Sequence, residues 1–235
     1  TGTFGQCSTH SGNDEPNYYY DSTNDPMTAW DFDSVWVAHE DNYPTFMFED
    51  ISNSPVIHNC GQLQAIQDNP SGDYSLANDI DCSDTIGWND GYGFNPIQDF
   101  TGSLNGNNHT ITGLFIDSHG SGEGDETGIF AILGDGAEVS NLNFNLAHIA
   151  GYEDVGTLAG GIEDGSSVDI YRVTATNSTV FGRYNVGGLV GYTDTGGGDS
   201  TSVTESSFGG SVNSVDTDEY SDELGGLIGS VDVWG

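Results

Sequence analysis

The chain has 235 residues, 34% of them hydrophobic, and carries 37 acidic residues against two arginines and no lysine, for a formal charge of -35. That balance excludes nucleic acid and an anionic membrane as partners, since each requires a basic footprint, and no apolar run is long enough to insert in a bilayer. Self-repulsion on this scale destabilises a compact state at low salt, so the composition predicts either a halophile's solvated surface or dedicated Ca2+ sites.

Residues 1–55 read differently from the rest and are assigned as an end segment. Tyr18, Tyr19 and Tyr20 form an aromatic strand, Trp30 to Trp36 alternates large apolar with polar residues, and Tyr43-Pro44-Thr45-Phe46 follows. Cys7 is either a small buried hydrophobe or a link to another chain. The chain opens at Thr1 with neither methionine nor signal peptide, which reads as a processed chain or an excerpt of something longer. Residues 56–235 are assigned to repeats. Cys60 and Cys82 flank a segment read as strand, turn and strand (62–66 and 74–80), so a disulfide between them is expected, in an oxidising, extracellular setting. Trp88 to Phe94 is a turn rich in aromatics. Asn108-His109-Thr110 and Asn177-Ser178-Thr179 are glycosylation acceptor patterns.

From Gly128 onward a glycine hexapeptide recurs. Val186-Gly187-Gly188-Leu189-Val190-Gly191 and Leu224-Gly225-Gly226-Leu227-Ile228-Gly229 are near copies, Val155 to Gly160 is looser, and Thr127 to Ile132 looser still. Gly128, Gly156, Gly187 and Gly225 lie 28, 31 and 38 residues apart, a period typical of stacked repeats. The alternation of apolar and small residues predicts a strand with one buried face, and the glycines predict backbone approaching too closely for a side chain. Two further β-rich runs follow each hexapeptide. About three short strands per period give a right-handed parallel β-helix, an all-β solenoid.

Gly188-Leu189-Val190-Gly191 and Gly226-Leu227-Ile228-Gly229 match the core of the GLUG motif, and the chain resembles the GLUG-motif repeat proteins, which are secreted or surface β-helix proteins. The resemblance spans most of residues 57–235 and implies a fold rather than an activity. In such proteins a segment like 1–55 closes the solenoid at its C-terminal end, whereas here it comes first and the chain stops just after a hexapeptide. The expectation is head-to-tail association with copies of itself, as a filament or tandem array, in which residues 1–55 of one copy complete the last coil of another; the alternative is that they fold back as a cap on their own chain. Tyr18, Tyr19, Tyr20, Trp30, Trp36 and Trp234 are the expected interface anchors, and a platform for a surface glycan is the other use for such aromatics.

Catalytic chemistry finds little purchase. Polysaccharide lyases need Lys or Arg, and only Arg172 and Arg183 exist; His39-Glu40 lacks the second histidine of a zinc motif, and a glycosidase needs two suitably spaced carboxylates that no motif marks. His148, between Ala147 and Ile149, reads as packed on a strand. Asp216, Asp218, Glu219, Asp222 and Glu223, the group Asp79, Asp81 and Asp84, and the group Glu123, Asp125 and Glu126 could each offer oxygen ligands to Ca2+. The sequence thus predicts no enzyme but an extracellular structural unit of a filament, appendage or adhesin, with a carbohydrate-binding or carbohydrate-active β-helix, or a Ca2+-dependent adhesin module, as alternatives.

Overall fold

The computed structural model describes residues 55–118, 126–194, 200–214 and 223–232, together with the backbone of 36–37 and 45–46. Two compact units divide the chain, residues 1–50 and 51–235. In the first, β1 (Trp36–Val37) and β2 (Thr45–Phe46) pair antiparallel.

The second unit is a parallel β-helix. It begins with β3 (Val56–Ile57), the short helix α1 (Cys60–Gln64) and a 3-10 turn over Ala65–Asp68, then β4 (Asp73–Leu76) and β5 (Ile80–Asp81). The next coil holds β6 (Ser103–Asn105), β7 (Thr110–Thr112), β8 (Phe115–Asp117) and β9 (Phe130–Leu133). A further coil contains β10 (Glu138–Asn145), β11 (His148–Ala150), β12 (Glu153–Val155) and β13 (Ala159–Ile162). It is followed by β14 (Asp169–Gly182), β15 (Tyr184–Gly187) and β16 (Val190–Asp194). The last described coil has β17 (Ser202–Thr204), β18 (Ser207–Ser214), β19 (Leu224–Gly225) and β20 (Ile228–Asp232). Three parallel sheets run along the unit. One has eleven strands and wraps around corners, one is β12-β15-β19, and one is β20-β16-β13-β9.

Parallel pairing places like side chains over one another, one strand spacing apart. Tyr74, Leu104, Val139, Ile170 and Val203 form one inward column. Ile80, Ile111, Phe144, Ala175 and Phe208 form another, and Ile116, Ile149, Val180 and Val212 a third. Polar columns face outward and are bonded coil to coil: the Asn141 amide donates to Asn105 Oδ1 at 3.2 Å, Thr174 Oγ1 to Asn143 Oδ1 at 2.7 Å, and the Asn177 amide to Asn145 Oδ1 at 3.0 Å.

Two sequence expectations change. The hexapeptide is not one strand but a corner between two sheets: β12 ends at Val155 and β13 starts at Ala159, and β15 ends at Gly187 with β16 starting at Val190. Val155, Leu158 and Ala159 are all fully buried because the chain turns around the core there. The glycines do have the predicted reason. A Cβ on Gly187 would strike the Val190 carbonyl within the turn, and one on Gly191 would strike backbone of Asp154 and Val155 in the preceding coil. The second change lies at 62–66, read as strand, which falls in α1 (Cys60–Gln64) and the 3-10 turn after it. The start of α1 is fixed by the Asn59 side chain, which accepts from the Gln62 N–H at 2.9 Å. Leu63 and Ile66 are fully buried and close the core at this edge.

Gly191→Ala should therefore destabilise by roughly 3 kcal/mol or more, since the obstructing atoms are backbone, and chemical unfolding in molar salt measures it. Leu146 gives the opposite case. Its φ is 57°, the residues that follow the paired Thr112 and Thr176 in the adjoining coils, Gly113 and Asn177, have φ of 72° and 51°, and Leu146 is 56% exposed. Leu146→Asn should raise stability by about 1 kcal/mol in the same assay by relieving left-handed backbone strain.

Candidate functional site

Two places on the solenoid differ from its regular wall. The first is the last described coil. Val203, Phe208, Val212 and Ile228 continue columns whose earlier members are buried, yet each remains partly exposed, and Leu224 and Val231 are 48% and 47% exposed. Gly226 carries a further mark. In the preceding coil a Cβ on Gly188 would collide with the Gly226 carbonyl and the Phe208 ring, whereas a Cβ on Gly226 itself has no neighbour within 4 Å. The glycine is present, but the coil it would accommodate is not part of the described chain.

The second is a groove beside β8. Residues 88–98 lie against that strand, tied by Phe94 N–H to the Phe115 carbonyl at 2.9 Å and by Asp117 N–H to the Tyr92 carbonyl at 2.8 Å. Phe94, Ile97 and Phe100 are buried beneath, while Tyr92 is 51% exposed. The cleft is about 560 Å³ and is lined by Tyr92, Asn95, Pro96, Gln98, Asp117 and Glu126, among others. Trp88 and Tyr92, read from the sequence as part of an aromatic-rich turn, both lie in this region.

The remaining predicted site residues fall as follows. Cys60 and Cys82 are joined, with sulfurs 2.03 Å and Cα atoms 5.3 Å apart. Closing that loop constrains the unfolded chain by about 3 kcal/mol. Asp79, Asp81 and Asp84 are not gathered into a site. Asp79 accepts from Thr110 N–H at 2.9 Å and contacts His109 Nδ1 at 3.3 Å, and Asp81 accepts from Ser83 N–H at 2.9 Å. These backbone bonds come first among the causes that hold both carboxyls below their usual range. Among the described residues no three His, Cys, Asp or Glu side chains converge to hold a metal ion. Of the other acidic groups, Glu126 and an exposed Glu223 are described, whereas Asp216, Asp218, Glu219, Asp222, Glu123 and Asp125 lie outside the described residues. So do Tyr18, Tyr19, Tyr20, Trp30 and Trp234; Trp36 is described in its backbone alone. Asn108 and Asn177 are exposed corner residues with φ of 65° and 51°. His148 lies over Phe115 with ring centroids 5.1 Å apart, and beside Phe181 at 5.5 Å. Arg172 pairs with Glu205 of the next coil at 2.7 Å, and the Arg183 guanidinium lies between the rings of Tyr152 and Tyr184.

Against known proteins, no protein-family model matches the chain. It is 39% identical over 150 residues to halomucin of Haloquadratum walsbyi, an alignment covering 59% of this chain and 2% of that protein. It is 31% identical over 174 residues to the immunoglobulin A1 protease of Streptococcus pneumoniae, covering 71% of this chain and 8% of that one. The chain thus spans only a small fraction of the length of the curated relatives it matches. A crystal structure of a candidate immunoglobulin A1 protease from Bacteroides ovatus aligns with 19% identity and a TM-score of 0.46, over 75% of this chain and 61% of that one. No described helix is long and apolar enough to cross a membrane.

One carboxylate is set apart by its surroundings. The bridge of Thr127 to Val155 and the pairing of β12, β15 and β19 put Glu126, Asp154, Asn185 and Glu223 in one corner column. Burial pushes Asp154 up from 3.8 to about 6; the Asn185 amide, donating at 2.7 Å, works against this, and Glu153 and Glu126 add to it. A raised acid contributes stability that is fully present below about pH 4 and is lost as pH rises through about 6. Asp154→Asn should therefore stabilise by roughly 1 to 2 kcal/mol at pH 7.5, allowing for partial exposure, and have little effect at pH 4.5. Urea unfolding of both proteins at the two pH values measures it.

Proposed function

We propose that this chain is a structural unit of a long extracellular surface protein, associating head-to-tail with copies of itself through its solenoid ends. The observation that carries the reading is the last coil, where Val203, Phe208, Val212, Leu224 and Ile228 leave five inward columns unfinished. Apolar columns and unpaired strand edges at a solenoid end are templates for further coils. The first edge carries α1, with Leu63 buried, and is unlike the last coil; a contact between residues 1–55 of one copy and the last coil of another joins two different surfaces, so it is heterologous and builds an open line rather than a closed pair. A segment of the 1–55 kind from the following copy would supply the completing coil, as the GLUG resemblance implies.

The named relatives favour the same reading. Both are many times longer than the stretch they share with this chain, as expected of a module set within a long surface protein. One belongs to Haloquadratum walsbyi, and a formal charge of -35 suits molar salt, where self-repulsion is screened.

Sedimentation and negative-stain microscopy of the purified chain in molar salt, with and without Ca2+, should show rods that lengthen in steps of one unit. Gly226→Trp, which has open space in the described chain, should leave the unfolding midpoint unchanged and abolish the rods. Single units under every condition, or a Gly226→Trp protein that loses its own stability, would contradict head-to-tail stacking and indicate that residues 1–55 cap their own chain.

A further inference from the structure

We infer that the groove beside β8 is a binding site for a neutral oligosaccharide. The inference is independent of how the solenoid ends associate.

The groove is built on a fixed floor. Phe94 and Ile97 are buried under it, and the backbone bonds to Phe115 and Asp117 hold residues 92–94 in place. Gln64 adds a clamp. Its side-chain amide donates to the Asn95 carbonyl and accepts from the Asn95 N–H, both at 2.8 Å, doing for this loop what a neighbouring strand would do. The Asn89 amide donates to the Gly93 carbonyl at 2.7 Å. Asn89, Asp90, Gly91 and Gly93 all hold positive φ, the region that Gly, Asn and Asp adopt most readily, so the sequence itself favours this turn. A loop fastened this way presents its side chains at little further loss of entropy on binding.

What it presents suits sugar. Tyr92 offers a half-exposed ring on which the C–H face of a pyranose can stack. Asn95 and Gln98 offer amides and Asp117 and Glu126 carboxylates, matching the mixed donors and acceptors of hydroxyl groups. A second hollow of about 540 Å³, lined by Gln64, Gln67 and Trp88, adjoins the first through the shared Asn89 and Asn95. Two adjoining hollows fit a chain of sugar units better than a single compact metabolite.

Charge decides which sugars. Neither Arg172 nor Arg183, the chain's two basic residues, lines either hollow, while Asp117 and Glu126 line the first. Uronic, sialic and sulfated glycans are therefore repelled, and a neutral hexose or N-acetylhexosamine chain is favoured.

The test is calorimetric titration of the full chain with cellohexaose, mannohexaose and chitohexaose in molar salt, with heparin as an anionic control and a lysine-rich peptide as a cationic one titrated at the lowest salt in which the chain stays folded, where charge is not screened. Binding of at least one neutral hexamer, and none of heparin, is expected. Tyr92→Ala removes a half-exposed ring and leaves the buried residues in place; it should weaken that binding about tenfold without moving the unfolding midpoint. Asn95→Ala and Gln98→Ala serve as second variants on the polar side. Absence of binding to all three hexamers, affinity indifferent to Tyr92 and Gln98, or uptake of the cationic peptide alone would overturn the inference.

Discussion

Everything in the solenoid follows from one constraint: successive coils hydrogen-bond in parallel at a spacing of about 4.8 Å, so a residue's nearest neighbours are its counterparts one period away. Inward positions must then be apolar in every coil, which gives the columns through Leu104, Val139 and Ile170 or through Ile111, Phe144 and Ala175. Outward positions must be able to bond to their own kind, which is why the Asn side chains of 105, 141, 143, 145 and 177 are tied between coils rather than merely solvated. Corners must bring two backbones closer than a Cβ permits, and there the glycines recur.

The same constraint makes an end a problem. A sheet that gains each strand from its neighbour has no internal reason to stop, and whatever closes it must bury the final columns and satisfy the outer edge. At the first edge the chain meets this with a short helix and the 3-10 turn after it, in which Leu63 and Ile66 are buried, fastened by the disulfide of Cys60 and Cys82. At the last described coil no such element appears among the described residues, and the columns end at half-covered Val203, Phe208 and Val212. The strongly acidic surface sets the conditions under which such an end can meet another: charge opposes approach until salt screens it.

The period, the β-helix and the steric origin of the glycines were legible in the sequence because each rests on repetition, which a single chain displays to itself. The corner at each hexapeptide was not. Alternating apolar and small residues over six positions look the same whether the chain is extended or turning, and the turn is visible only when Val155, Leu158 and Ala159 are found buried together. The helix at 60–64 was obscured because its apolar residues also suit a strand, and its start depends on one side-chain bond from Asn59. Counting acids suggested ligands at Asp79, Asp81 and Asp84, but backbone N–H groups claim two of them, that of Thr110 in the next coil and that of nearby Ser83. The groove was half visible: Trp88 and Tyr92 stood out as aromatics, but their meeting with Gln64, Asp117 and Glu126 depends on contacts of long sequence separation.

Hydrogen exchange on one copy and on two copies joined in tandem, both in molar salt, tests the central claim most directly. The account predicts that the amides of β17 to β20 in the first copy of the tandem become strongly protected relative to the single chain, as their columns and outer edge are completed by the second. Equal exchange of those amides in the two proteins would show that the last coil is already complete without a neighbour, and the head-to-tail reading would fail.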